Sequence, residues 1–350
     1  MATVLRTFPP KLDCNASFLS ASNLSRYASV RISSTMESAR HSNHGQTGRI
    51  VDGRHTMDSL LAAGEIQFGN VLFVTDFSTS SELALPYAVA LAAQYSGKVY
   101  IAHVISPEMF EFLPPALLSE IGERIKTYAR KRMDELVNET SFGSVPHEVL
   151  LEEGEIWETL KAAAAKYSID VVALGTHGRC GVQKLLMGAV AEETLRLAQR
   201  PVLTVGPQSH EFVPERRPRN ILFAADFSTD CVRAMNCAFS LAHRFAARLI
   251  TVHVVSNVAE DPQTLTRFEQ FFIQRLRELV SAPPGLQQEF RVEFGSPAEC
   301  ILKVAADAAI DLIVMGVRGA GSLDRADRHF GTTAYRVVSE ARCPVLTARG

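Results

Sequence analysis

The 350-residue chain has no apolar stretch long enough to cross a bilayer. Its longest run, Leu83 to Ala93, is eleven residues and is interrupted by Pro86, against the roughly 20 that a spanning helix needs. An excess of one charge is also missing. The net charge of −2 gives no general attraction to nucleic acid or to an anionic membrane, so neither is expected as a partner. Six cysteines, Cys14, Cys180, Cys231, Cys237, Cys300 and Cys343, form no C-x-x-C pair and no repeated framework. They read as free thiols of a cytoplasmic protein rather than as disulfides. No H-E-x-x-H and no paired Cys/His cluster suggests a metal centre. There is no G-x-S-x-G nucleophile elbow. What remains is ordinary for a soluble globular protein, with 47% hydrophobic and 21% charged residues.

Within that composition the chain repeats itself. Asn70-Val71-Leu72-Phe73-Val74-Thr75-Asp76-Phe77-Ser78-Thr79 recurs as Asn220-Ile221-Leu222-Phe223-Ala224-Ala225-Asp226-Phe227-Ser228-Thr229. His103-Val104 recurs as His253-Val254, Gly175-Thr176-His177-Gly178 as Gly316-Val317-Arg318-Gly319, and Pro201-Val202-Leu203-Thr204 as Pro344-Val345-Leu346-Thr347. A period this long marks a duplicated domain rather than a solenoid. We therefore divide the chain into a leader at 1–69, a first domain at 70–206, a linker at 207–218 and a second domain at 219–350. Residues 1–36 hold seven Ser, four basic residues and one acidic residue, Asp13. That bias resembles a transit segment, while Met36 and Met57 offer later starts. With no repeat partner and no apolar period, the leader is expected to be disordered or a start-site extension.

Short apolar runs alternate with amphipathic stretches in each copy. Val71–Val74, Val99–Val104, Glu148–Leu151, Val171–Leu174 and Val202–Val205 read as strands of a buried parallel sheet. Ser80–Tyr95, Pro115–Asn138, Ile156–Tyr167 and Val190–Ala198 read as helices, with a kink or boundary expected at Pro86. The second copy gives strands at Ile221–Ala224, Leu249–Val254, Glu289–Glu293, Leu312–Met315 and Val345–Thr347, and a helix at Leu265–Val280. The fold class is α/β: two flavodoxin-like, doubly wound domains, each with five parallel strands in the order 3-2-1-4-5. In that order strands one and four are neighbours at the switch point, so Asp76 and the loop after Gly175 should line one crevice. Gly178 would let backbone approach a ligand, and Gly188 precedes a helix whose free N–H groups can hold phosphate. A carboxylate opposite a glycine loop suits a nucleotide; tight turns between strand and helix are the plainer reading of the same glycines. His103 and His253 read as hydrogen-bonding or packing residues.

Gly175-x-x-Gly178, nine residues, then Gly188-Ala189-Val190-Ala191-Glu192 and Arg200-Pro201-Val202-Leu203-Thr204-Val205 resembles the universal stress protein family in a tandem form. The resemblance implies the adenine nucleotide alpha hydrolase-like version of the fold. It implies a site in the first domain at Val74, Asp76, Val104, Gly175, His177, Gly178, Arg179, Gly188, Ala189 and Val190. The corresponding set in the second domain is Asp226, Val254, Gly316, Gly319, Gly331 and Thr332. The implied ligand is ATP or another adenine nucleotide; the metal is left open, Mg accompanying ATP being one option. The implied assembly is an intramolecular pseudo-dimer of the two domains, with further homo-oligomers open.

Both copies depart from the family pattern. Ala189 stands where Ser or Thr is usual. In the second copy Thr332 restores the hydroxyl, but eleven residues instead of nine separate Gly319 from Gly331. That loop region sets Arg318, Arg325 and Arg328 against Asp324 and Asp327, a net of 3 − 2 = +1, whereas the first loop has Arg179 and Lys184 and no acid. The first site is therefore expected to bind more tightly. A nucleotide-binding regulator of stress survival is the leading expectation. A nucleotide-independent scaffold and a slow ATP hydrolase are the alternatives; no acid/base pair supports catalysis.

Overall fold

The computed structural model describes residues 66–110, 114–176, 187–209, 217–256, 261–280, 285–318 and 331–350. The first half runs β1 (Asn70–Val74), α1 (Thr79–Glu82), α2 (Leu85–Gln94), β2 (Lys98–Ile105), a short 3₁₀ turn, α3 (Pro115–Glu139), β3 (His147–Glu153), α4 (Ile156–Lys166), β4 (Val171–Gly175), α5 (Ala189–Leu197) and β5 (Val202–Val205). The second repeats it as β6 (Asn220–Ala224), α6 (Thr229–Phe245), β7 (Arg248–Val255), α7 (Pro262–Leu279), β8 (Gln288–Phe294), α8 (Pro297–Asp307), β9 (Leu312–Gly316), α9 (Thr332–Glu340) and β10 (Val345–Ala348). The leader up to residue 65 and most of the linker, 210–216, lie outside the described residues.

All ten strands form one sheet in the order β3-β2-β1-β4-β5-β10-β9-β6-β7-β8. Each half is parallel within itself and has the order 3-2-1-4-5 from its own first strand. The central strands are apolar on both faces and packed on both. One apolar layer joins the sheet to α2, α3, α6 and α7; the other joins it to α4, α5, α8 and α9. Phe73, Phe223, Ile221 and Leu222 are wholly buried between them.

Pro86 decides the first crossover. A proline lacks the N–H that a helix interior needs but is tolerated in the first turn. The stretch expected as one helix is accordingly two: α1 ends at Glu82, and α2 restarts with Pro86 in its first turn. The equivalent position in the second half is Asn236, and α6 runs unbroken for 17 residues. Gly97 lets β2 enter beside β1, because a Cβ there would lie 2.0 Å from the Gly69 carbonyl oxygen.

The halves meet where β5 pairs antiparallel with β10, Leu203 facing Leu346. These two leucines hold the same place in the repeat, as do Thr204 and Thr347. Thr204 Oγ1 donates to Val345 O at 3.0 Å, and Thr347 Oγ1 to Val202 O at 3.4 Å. Beside the seam Arg244 donates from Nε and Nη2 to Gln94 O at 3.0 and 2.7 Å, while Gln94 Nε2 donates to Arg244 O at 3.0 Å.

Candidate functional site

Each half builds the same turn at the carboxyl end of its first strand. After β1 the chain leaves the sheet at Thr75, whose N–H still bonds Ala102 O at 3.0 Å. Phe77 is then forced into the left-handed region, φ 61°, where a bulky residue carries strain that neighbouring contacts must hold. Three contacts hold it. The Phe77 N–H donates to Thr75 Oγ1 at 2.9 Å, the Ser78 N–H donates to Asp76 Oδ1 at 2.9 Å, and the His103 ring lies 4.2 Å from the Phe77 ring. His103 Nδ1 bonds Thr75 O at 2.8 Å, so this histidine serves the turn. Ser78 then caps α1 by accepting the Ser81 N–H at 3.1 Å. The outcome is a half-buried Asp76 with its orientation fixed at the mouth between β1 and β4.

The opposite wall comes from β4 and α5. Gly175 ends β4 where a Cβ would lie 2.4 Å from Ser80 O, so only glycine lets α1 sit this close to the strand end. The chain leaves at Thr176 and returns at Gly188, whose N–H donates to Thr176 O at 2.9 Å and closes the base of the intervening loop. Gly188 is the N-cap of α5 and brings no side-chain cap. The first turn, Ala189 and Val190, therefore begins with N–H groups that an anion can satisfy. Val74 and Val104 sit at the ends of β1 and β2. Val74, Asp76, Val104, Gly175, Gly188, Ala189 and Val190 thus all lie at the carboxyl ends of adjacent strands or on the helix that starts there. His177, Gly178 and Arg179 lie outside the described residues, as does Gly319 in the second half.

The second half repeats the turn. Phe227 has φ 60°, Ser228 donates from N and Oγ to Asp226 Oδ1 at 3.0 and 2.6 Å, and His253 Nδ1 bonds Ala225 O at 2.7 Å. Val254 is the penultimate residue of β7, Gly316 ends β9, and Gly331 caps α9 ahead of Thr332 with its N–H on Val317 O at 3.1 Å. The surroundings differ. Burial lowers the His253 pKa, with the hydrogen bond to Ala225 opposing. Phe272 of α7 packs on His253 at 4.4 Å, whereas in the first half the Arg132 guanidinium stands 5.9 Å from the Phe77 ring. Burial and, second, the charge of Asp226 push the Cys231 thiol up to about 12, so it is inert at neutral pH.

The largest difference is Asp230, which sequence reasoning missed. Its carboxylate is 1% exposed. It accepts the Arg318 backbone N–H at 3.1 Å, Arg318 Nε at 3.0 Å and Nη2 at 2.6 Å, and the Gly350 N–H at 2.9 Å. Arg318 is one of the cations of the second loop region; here its guanidinium is clamped bidentately by an internal anion. The first half has Ser80 and His177 at these two places. An acid near a helix start reads as ordinary dipole chemistry, and only the fold brings it to Arg318. The signal available was the unmatched pair itself: a carboxylate and a guanidinium at repeat positions where the other copy has a serine and a histidine. Of the cysteines, Cys231, Cys237, Cys300 and Cys343 are free thiols. Among the described residues no group of three His, Cys, Asp or Glu side chains could hold a metal ion, and no helix is long and apolar enough to cross a membrane.

The model of the universal stress protein family matches twice, over residues 67–206 and 218–349. A universal stress protein of Mycolicibacterium smegmatis is 25% identical over 293 residues, 80% of this chain and 96% of its own. One from Thermus aquaticus is 36% identical over 140 residues, 37% of this chain and 98% of its own. The crystal structure of a universal stress protein from Archaeoglobus fulgidus superposes with a TM-score of 0.57 at 22% identity, covering 81% of this chain and 99% of that one. Two family matches that together span most of the sequence, on a sheet that repeats the same order and the same turn, place the chain in the universal stress protein family as a tandem member.

Proposed function

We propose that the first half binds an adenine nucleotide and that the second is its structural mate in an intramolecular pseudo-dimer. The nucleotide then serves as a regulatory ligand in a stress response rather than as a substrate. One observation carries the asymmetry: the second loop's Arg318 is spent on buried Asp230, while the first half has Ser80 and His177 at those two places. In the first half Asp76 supplies acceptors for ribose hydroxyls. The uncapped start of α5 supplies donors for phosphate, and the end of β2 at Val104 offers backbone to the base. ATP would bring Mg with it, held on its phosphates. The missing hydroxyl at Ala189 removes at most one hydrogen bond, about 0.5–1.5 kcal/mol.

Calorimetry with ATP on the full chain tests this. Gly178→Val should abolish tight binding, Asp76→Ala should weaken it by about tenfold or more, and Gly319→Val should change little. Loss of binding in Gly319→Val alone would assign the ligand to the other half. No binding by the parent protein would leave the scaffold reading in its place.

A further inference from the structure

A cleft of about 860 Å³ shares no residue with the first-half strand-end site, while its Gly350 edge meets Asp230 of the second half. It lies between α4 and α5 and reaches across the seam to α6 and the residues after β10. Four cations line it: Lys161 of α4, Arg200 before β5, Arg233 of α6 and Arg349 after β10. Lys161 and Arg200 are exposed; the other two are half-buried. Arg233 Nη1 donates to Arg349 O at 3.2 Å, and Arg349 Nη1 donates to Arg196 O, so two of the guanidinium groups are held in place by backbone. Glu158, 3.2 Å from Lys161, opposes them, leaving a side-chain charge of 4 − 1 = +3.

The internal repeat is a control for this cleft. The positions of Lys161, Arg200, Arg233 and Arg349 are Leu302, Cys343, Leu83 and Gly206 in the other copy. None of the four cations is therefore a requirement of the duplicated fold. The helix contact beside the opening also differs between the halves. In the second half Arg336 of α9 bonds Glu299 of α8 at 2.8 Å and Glu340 of α9 at 2.9 Å, tying the two helices together. The matching pair in the first half is Glu158 and Glu193, two carboxylates that cannot make such a strap.

From this we infer that the cleft is a second ligand site, taking a small phosphorylated anion independently of the nucleotide site. The volume is that of a small-molecule pocket. Guanidinium forks match phosphate oxygens in geometry. Half-buried Trp157, also in the wall, offers a flat apolar surface to the rest of such a molecule.

Trp157 is the only tryptophan in the chain, so its emission reports on this cleft. The experiment titrates inorganic tripolyphosphate into the full-length protein at fixed ionic strength, with calorimetry and Trp157 emission followed together. A saturable signal should appear in both. Arg200→Ala and Lys161→Leu, neither of which touches the sheet core, should each weaken the midpoint by about tenfold or more. Gly178→Val should leave it unchanged. The inference fails if calorimetry shows no saturable binding, if sulfate at equal ionic strength gives the same midpoint, or if Gly178→Val removes the signal. It also fails if both cation variants keep the parent midpoint.

Discussion

Replacing Asp230 with alanine tests the account of the second half most directly. The carboxylate is 1% exposed and takes four donors, and the Arg318 side chain it holds is 23% exposed. Removing one partner of a buried pair costs about 3–5 kcal/mol, because the other charge is left without compensation. Arg318 has partial access to water and can turn toward it, which argues for the lower end. The Arg318 and Gly350 N–H groups lose their acceptor at the same time, which argues against going lower still. We expect a loss of about 3 kcal/mol, a large part of the 5–15 kcal/mol typical of a folded domain. Equilibrium unfolding in urea measures it. The double variant Asp230→Ala/Arg318→Met should recover most of the loss, since no buried charge is then orphaned. A single variant within about 0.5 kcal/mol of the parent, or a double variant showing simple additivity, would refute the reasoning.

Further outcomes follow from other features. Gly97→Ala should destabilise by about 3 kcal/mol in the same assay, because its Cβ would meet Gly69 backbone at 2.0 Å, whereas Gly122→Ala in α3 has open space and should gain about 0.5–1 kcal/mol. Burial holds the His253 pKa below its usual 6.5. The unfolded chain therefore takes up a proton first as pH falls through 6.5, and stability drops until the folded pKa is reached. His253→Gln should flatten that part of the stability profile between pH 7 and 5. Residues 60–207 expressed alone should dimerise or aggregate, because β5 would become an open edge; a well-behaved monomer by light scattering would count against the seam as a required contact.

The duplicated order of strands was legible because each strand is a short apolar run bounded by turn residues and each appears twice. The turn at Asp76 was legible for the same reason: one motif, repeated with the same neighbours. Boundaries were less so. The reading of β3 as Glu148–Leu151 fell short of His147–Glu153, because its outer residues are charged and the sheet extends through backbone pairing to β2 that charge does not forbid. At Pro86 the proline rule predicted a break but not its form, which depends on Leu83 and Ala84 closing α1 first. Asp230 and the four-cation cleft were invisible for one shared reason. Each joins distant parts of the chain, Asp230 to Arg318 and Lys161 to Arg349, through residues that do not recur in the other copy, so the repeat that revealed everything else was silent about them.

The contact between Gln94 and Arg244 has a consequence for assembly. These residues occupy the same position in the two copies, and each bonds the other's carbonyl. Two identical chains meeting at such a point would set Gln against Gln or Arg against Arg, and the second arrangement repels. A fused chain can place unlike residues there. A first half meeting another first half would lose the guanidinium, and a second meeting a second would confront two cations. The seam therefore recognises which half it is facing, and it favours a first half paired with a second over two like halves.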